Sequence, residues 1–332
     1  MQAHLWWDEA IARRDMDLIR DAGFGWVKQN VGWRDVEGAE KGAFDWYFTD
    51  RIVAEQRGLK VLFRLDSEPA WAALKKGVRS SNGPPEDPQD LGDFCHVLAE
   101  RYTGRVHAYQ VWNEPNLARE WGGYAPDPAG YVDLLRACYV GVKTADPGAL
   151  VVSAGLAPTG TGLPQAIPDT DYLRHMYEAG AAPYFDALGL NAPGYKAPPE
   201  VSPEEAAGTA AYGEQRFFCF RHVEDMRRIM VDQGDGAKQV VILEMGWTTD
   251  PRPDSPYHWH AVTPEQKADY LVRAFQYAEE HWEPWIGLMT VLAIADPHWT
   301  PADEQYWWAI TAPGWPDPTL RPAYDALREM DK

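Results

Sequence analysis

The stretch Tyr109-Gln110-Val111-Trp112-Asn113-Glu114-Pro115-Asn116 reads as a short buried strand that runs out into polar residues and a proline. Runs of the same kind recur along the whole chain, at residues 2–6, 26–31, 59–65, 107–111, 150–153, 185–191, 240–243 and 286–292. They are β-branched or aromatic and mostly apolar on both faces, as strands covered by helices must be. Between them lie apolar stripes at helical spacing, such as Leu91, Phe94, Cys95, Leu98 and Tyr102, or Tyr131, Leu134, Leu135, Cys138 and Val142. Further helices are predicted over 9–22, 46–57, 169–179 and 322–329. This alternation, repeated eight times in 332 residues, predicts an α/β chain folded as a single (β/α)8 TIM barrel over residues 1–332. A doubly wound open sheet is the rival reading.

The Pro- and Gly-rich stretches 76–90, 196–215, 248–263 and 297–321 all follow a predicted strand, whereas the turns that precede strands are short. In a barrel the loops after strands share one face, so these are expected to build a cleft there. The loops 196–215 and 297–321 are expected to wall it, with Trp299, Trp307 or Trp308 turning a ring face inward. No interior stretch resembles a domain boundary.

The 31 basic and 50 acidic residues leave a net charge of −19, a field that repels phosphate backbones and anionic lipid. Nucleic acid is therefore not an expected partner, and neutral substrates are not disfavoured. No apolar run is long enough to cross a membrane. The first predicted strand begins almost at Met1, which suggests a trimmed N-terminus; an extracytoplasmic location is favoured if it is trimmed, and the sequence leaves the location otherwise unknown. Sixteen Trp exceed what a core needs, and indole faces suit binding platforms. Cys95, Cys138 and Cys219 are few, odd in number and far apart, which argues against a disulfide framework and a structural zinc site. Cys95 and Cys138 fall on the apolar stripes of predicted helices, where a free thiol behaves as a small hydrophobe, so structural cysteines are expected.

Two strand ends carry the chemistry. The fourth predicted strand ends on Glu114, and the seventh runs Val240-Val241-Ile242-Leu243-Glu244-Met245-Gly246-Trp247. Glu is a poor strand residue and is costly beside a core without partners. Either Glu alone could be a rim residue in a salt bridge. Together they match the two carboxyls that glycoside cleavage requires, and strands four and seven face each other across an eight-stranded barrel.

The Trp-Asn-Glu-Pro segment and the lone Glu ending strand seven resemble clan A of the glycoside hydrolases, most closely family 39 and the family 5-like cellulases. The resemblance spans essentially the whole chain. It implies a retaining hydrolase of β-linked neutral sugars, with Glu114 as acid/base and Glu244 as nucleophile, carboxyls about 5–5.5 Å apart. It further implies that Asn113 bonds the sugar 2-hydroxyl, that Pro115 stiffens the turn aiming Glu114, and that Tyr195 contacts the nucleophile. The sequence around Tyr195 departs from the commoner His-x-Tyr pattern, and a packing tyrosine is the alternative.

Other candidates rest on their strand-end positions: Arg64 and Asp66, His4 and Trp7, Lys28 and Asn30, Trp247, and Asp296 and Trp299. For each, rim hydrogen bonding or core packing is the alternative. His258-Trp259-His260 lacks a carboxylate partner nearby and reads as a loop rather than a metal site. No phosphate loop, dinucleotide fingerprint, His-Glu-x-x-His or Gly-x-Ser-x-Gly is present, and no metal or cofactor is expected. The expected partner is a glycoside, oligosaccharide or polysaccharide. Transglycosylation on the same site, and a catalytically silent carbohydrate-binding barrel, are the other readings.

Overall fold

The computed structural model describes residues 1–7, 9–74 and 82–331, so residues 76–81 of the predicted loop 76–90 lie outside the described residues. One sheet holds seven strands: β1 (Trp26–Gly32), β2 (Lys60–Asp66), β3 (Ala108–Val111), β4 (Leu150–Val152), β5 (Ala187–Pro193), β6 (Gln239–Gly246) and β7 (Ile286–Val291). All neighbours are parallel, and spatial order follows chain order throughout. A doubly wound sheet reverses its strand order at a switch point. This sheet has no reversal. Helices Tyr47–Ala54, Pro88–Arg101, Pro128–Ala145, Asp169–Glu178, His222–Asp232 and Pro264–Trp282 make the crossovers that parallel pairing demands.

The expected strand over 2–6 is reduced to one bridge, between Gln2 and Lys28. The reason is local: the Leu5 amide donates to the Gln29 side chain at 2.7 Å, and residues 5–7 turn toward the helix Glu9–Asp21. Even so, the segment joins both sheet edges. Gln2 N–H donates to Val291 O of β7 at 3.1 Å, while Lys28 N–H of β1 donates to Met1 O at 2.9 Å and Ala3 N–H to Lys28 O at 3.1 Å.

Two apolar layers follow from the period-two alternation of strands. The outer faces pack on the helices in one large core. On the inner face Leu62, Ala108, Val152, Ala187, Val241 and Leu243, with Trp26 and Leu288, form a separate floor. Lys28 and Asn30 share Trp26's face of β1, and Arg64 and Asp66 share Leu62's face of β2. Polar side chains therefore stand directly above an apolar floor.

Glu244 reaches that inner face through an irregularity. Strict alternation would put Glu244 opposite Leu243, with Ile242 in the outer core. The β5–β6 register slips instead, from Leu190 opposite Ile242 to Asn191 opposite Glu244. Such a bulge re-aims a side chain. Leu243 joins the floor, and the next residue, Glu244, also turns inward.

The cysteine expectation is corrected. Cys95 and Cys138 form a disulfide between helices Pro88–Arg101 and Pro128–Ala145, and only Cys219 is free and buried. Two glycines bring these helices together: a Cβ on Gly141 would lie 2.3 Å from Gly92 O, and one on Gly92 2.9 Å from Ala137 O. The cysteine Cα atoms are consequently 5.3 Å apart, within disulfide reach. Among the described residues no helix is long and apolar enough to cross a membrane.

The disulfide bridges residues 43 apart in sequence. Replacing both cysteines by alanine is expected to lower unfolding free energy by about 2–4 kcal/mol, read from urea denaturation. Coincident denaturation curves would contradict this.

Candidate active site

At the C-terminal ends of the strands lies a cavity of about 940 Å³. Of the residues singled out from the sequence, Glu114, Glu244, Asn113, Tyr195, Arg64, Trp299 and His4 line it, as do Asn30 and Trp308. The segments 117–120, 157–166 and 257–260 supply walls, together with Trp299, Glu304, Gln305 and Trp308 from the predicted loop 297–321. The other predicted wall, 196–215, contributes none. It carries its own short helix Pro203–Gly208, and Ala197, Val201 and Ala206 close on Cys219 as a small separate core. Trp307 is outside the lining, its indole donating to Pro301 O.

Glu114 is aimed by the turn after β3. Trp112 and Glu114 have φ of 70° and 47°, a region that costs side-chain-bearing residues on the order of 1–3 kcal/mol. Hydrogen bonds offset this: Gln110 donates to Trp112 O at 2.8 Å, Glu114 N–H to Gly155 O at 3.0 Å, and Asn116 to Ala157 O at 2.9 Å. The Glu114 carboxyl accepts from Asn191 Nδ2 at 3.0 Å and pairs with the exposed Arg119 guanidinium at 3.2 Å. A Cβ at position 155 would lie 2.1 Å from Asn191 Oδ1, so Gly155 makes room for that amide. Burial first, and then the charge of Glu244, push the Glu114 carboxyl up to about 7.

Glu244 has the opposite surroundings. Its Oε1 lies 3.2 Å from the Lys28 ammonium and 3.3 Å from Arg64, and Arg64 also pairs with Asp66 at 2.7 Å. Burial alone would raise this carboxyl, but Lys28 and Arg64 overcome it and hold Glu244 below the usual Glu range. Lys28 itself is buried, donates to Leu243 O at 2.9 Å, and is lowered to about 8 by burial. One carboxyl of the cavity thus still holds a proton part of the time near neutrality while the other is ionised, a split from which acid and nucleophile roles can be built.

Next to Glu244, the His4 ring meets Trp299 edge-on at 4.7 Å and stands 3.9 Å from Asp296. Burial lowers His4 to about 4, so the ring is neutral. Asp296 accepts from the half-exposed Trp7 indole at 2.7 Å, and Trp7 lies outside the lining. Asn113 is buried and accepts from Gln110 at 3.3 Å.

Two expectations are corrected. Tyr195 donates its hydroxyl to Pro158 O at 3.2 Å rather than to Glu244, and packs on Phe218, Trp259 and His260. Trp247 is fully buried, donates to Ala197 O at 2.9 Å and packs over Gly194, where a Cβ would lie 1.9 Å from the ring. It is a core residue outside the cavity lining, not a substrate contact. Asn191, Arg119, Gln2 and Glu304 were not singled out from the sequence. Only the placement of Asn191 at the end of a predicted strand was a signal for it. Among the described residues no group of three or more His, Cys, Asp or Glu is placed to hold a metal, and His258 lies against Asp250 O.

Solved structures share this fold. A family 39 glycoside hydrolase from the gut symbiont Bacteroides cellulosilyticus WH2 matches 98% of this chain and 61% of its own, with TM-score 0.68 and 18% identity. A monomeric beta-xylosidase from Caulobacter crescentus CB15 matches over 99% of this chain and 66% of its own, with TM-score 0.61 and 17% identity. A GH5 enzyme from Streptomyces cattleya, in complex with Manb1-4GlcNAc, matches over 97% and 75%, with TM-score 0.66 and 17% identity. The chain spans less than two thirds of the length of the first two of these. No family model and no curated protein matches the sequence.

Arg119 and Asn191 both favour the ionised form of Glu114. Arg119→Ala and Asn191→Ala are therefore each expected to raise its pKa further, followed as the carboxyl C=O band in infrared titration. A downward shift in either variant would contradict the assignment.

Proposed function

We propose that this chain is a retaining glycoside hydrolase acting on β-linked neutral sugars, with its sheet closed as a (β/α)8 barrel by Met1–Ala3. The observation that carries the reading is the opposite electrostatics of the two carboxyls sharing one cavity, Glu114 raised to about 7 and Glu244 lowered. Hydrogen bonding of the N-terminal segment to both β1 and β7 supports the closure. The preference for β-linkages draws on the beta-xylosidase and on the complex with Manb1-4GlcNAc among the similar folds.

In this mechanism Glu244, ionised between Lys28 and Arg64, attacks the anomeric carbon. Glu114 gives its proton to the departing oxygen, and a glycosyl ester forms on Glu244 with the leaving group released. Esterification removes the Glu244 charge that helps hold Glu114 protonated, so the pKa of Glu114 falls. Glu114 then takes a proton from water, which attacks the same carbon and releases a sugar of retained configuration. Asn113 is assigned to the sugar 2-hydroxyl, where a contact strengthens as charge develops on the ring.

Role assignments follow from leaving-group dependence. Glu114→Ala should slow substrates with poor leaving groups by about 10²–10⁴, and activated aryl β-glycosides far less, since they need little protonation. Glu244→Ala should abolish turnover of both. Azide should give a β-glycosyl azide with Glu114→Ala and an α-product with Glu244→Ala. Equal losses on both substrate types, without azide products, would overturn the roles. In the wild type, kcat/KM should fall on the alkaline side with an apparent pKa near the value of about 7 for Glu114, because protonated Glu114 is the active form. Full activity well above that pH would contradict it.

A further inference from the structure

Resting on that reading and deepening it, we propose that His222, outside the cavity lining, is a positioning residue for Glu114: its bond to Asp169 anchors the segment on which the Glu114 turn is built.

The strained turn at Glu114 leans on a neighbouring stretch of chain. Directly after it, residues 116–118 run antiparallel to residues 165–167, with a bridge between Leu117 and Ala166. Ala118 N–H donates to Gln165 O at 2.8 Å, and Ile167 N–H to Asn116 O at 2.9 Å. The buried Asn116 amide also donates to Ile167 O at 3.1 Å and accepts from Ala157 N–H at 2.9 Å. Two residues past Ile167 the helix Asp169–Glu178 begins, with Pro168 at its N-cap and no side-chain cap. Its start is tied down instead through Asp169.

Buried Asp169 accepts from His222 Nε2 at 2.7 Å. His222 is the first residue of helix His222–Asp232 and is buried as well. Its Nδ1 stands 3.4 Å from Asp225 Oδ2, and Asp225 pairs in turn with Arg216 at 2.8 Å and Arg228 at 3.2 Å. Burial alone would lower this imidazole, but Asp169 and Asp225 overcome it and raise it to about 9, so His222 is a buried cation. A cation in the first turn opposes the helix dipole, and a buried ion pair adds little stability over apolar packing of equal volume. What this pair supplies is a fixed spacing between two helix starts. Of the two carboxylates only Asp169 belongs to another helix, so one bond sets the end of the 165–167 segment. The chain entering His222 meets the same wall: a Cβ on Gly160 would lie 3.2 Å from Phe217.

Cutting the tie lets residues 165–169 shift and the Glu114 turn relax. Burial is the first cause of the raised Glu114 carboxyl, so a relaxed turn lowers it, whereas losing a positive charge alone would raise it. The test is infrared titration of the Glu114 carboxyl band, identified by its loss in Glu114→Gln. In His222→Ala the proton should be held about tenfold more weakly than in the wild type. His222→Gln loses the charge but keeps a donor for Asp169, and should titrate within about twofold of the wild type. Asp225→Ala should lower resistance to urea as His222→Ala does, yet leave Glu114 unmoved, because the bond between the helices survives. Asp169→Ala is the milder cut, since His222 keeps Asp225, and it should move Glu114 the same way even if His222→Ala does not fold. On substrates, His222→Ala should lose about 10- to 100-fold more in kcat/KM with poor leaving groups than with activated aryl β-glycosides. An unchanged or raised Glu114 in the folded His222→Ala or Asp169→Ala protein, or a His222→Gln shift as large as that of His222→Ala, would overturn the role. A wild type that cleaves no glycoside would instead sink the proposed function, and the infrared comparison would still decide the role of His222.

Discussion

The pairing of Lys28 with Glu244 is the interaction on which site and fold both turn. It joins residues 216 positions apart, one on β1 and one on β6, across the inner face of the sheet. A fully buried ammonium beside an apolar floor is costly, and here the cost is met by a carboxylate and a backbone carbonyl together. Removing one partner of such a pair leaves the other buried and uncompensated, an effect on the order of 3–5 kcal/mol. The sheet must therefore curl far enough for β1 and β6 to meet over a common floor. The bulge at Leu243 and Glu244 is what lets one strand serve both layers, apolar below and ionic above.

From this pair the rest of the cavity's electrostatics follows. The two cations beside Glu244, Lys28 and Arg64, fix where negative charge resides. Glu114, on the other side, meets its burial with one amide and one exposed guanidinium. An exposed partner is screened by water, so it compensates less than buried Lys28 does. The same residue type therefore holds a proton at one strand end and loses it at the other. The turn that carries Glu114 is strained, and the network through Gln110, Gly155 and Asn116 over-determines it.

Much of this was legible in the sequence because it is local. Seven of the eight strand runs, from 26–31 to 286–292, appear within a few residues of their predicted bounds, since short apolar runs between helical stripes admit few other structures. Glu114 and Glu244 were legible because a Glu directly after an apolar run violates the local preference. What was missed depends on contacts remote in sequence. The Cys95–Cys138 bridge needs the close helix approach that Gly92 and Gly141 allow, and an odd cysteine count carries no information about it. The strand over 2–6 was lost to one side chain, Gln29, which takes the Leu5 amide. Trp247 lies just past the bulge, which shifts the alternation, so no period-two reading could tell that its ring faces the core. Asn191 was passed over for Tyr195 because its partner, Glu114, is 77 residues away.

The central claim is that Glu244 is the group that bonds to the sugar. The most direct measurement is mass spectrometry of the protein after incubation with an activated 2-deoxy-2-fluoro β-glycoside, whose electron-poor ring forms the ester but hydrolyses slowly. The account predicts a mass increase of one glycosyl group per chain, mapped by peptide digestion to Glu244 and absent in Glu244→Gln. Label on another residue, or release of product by the wild type without any covalent adduct and with inverted configuration, would contradict it.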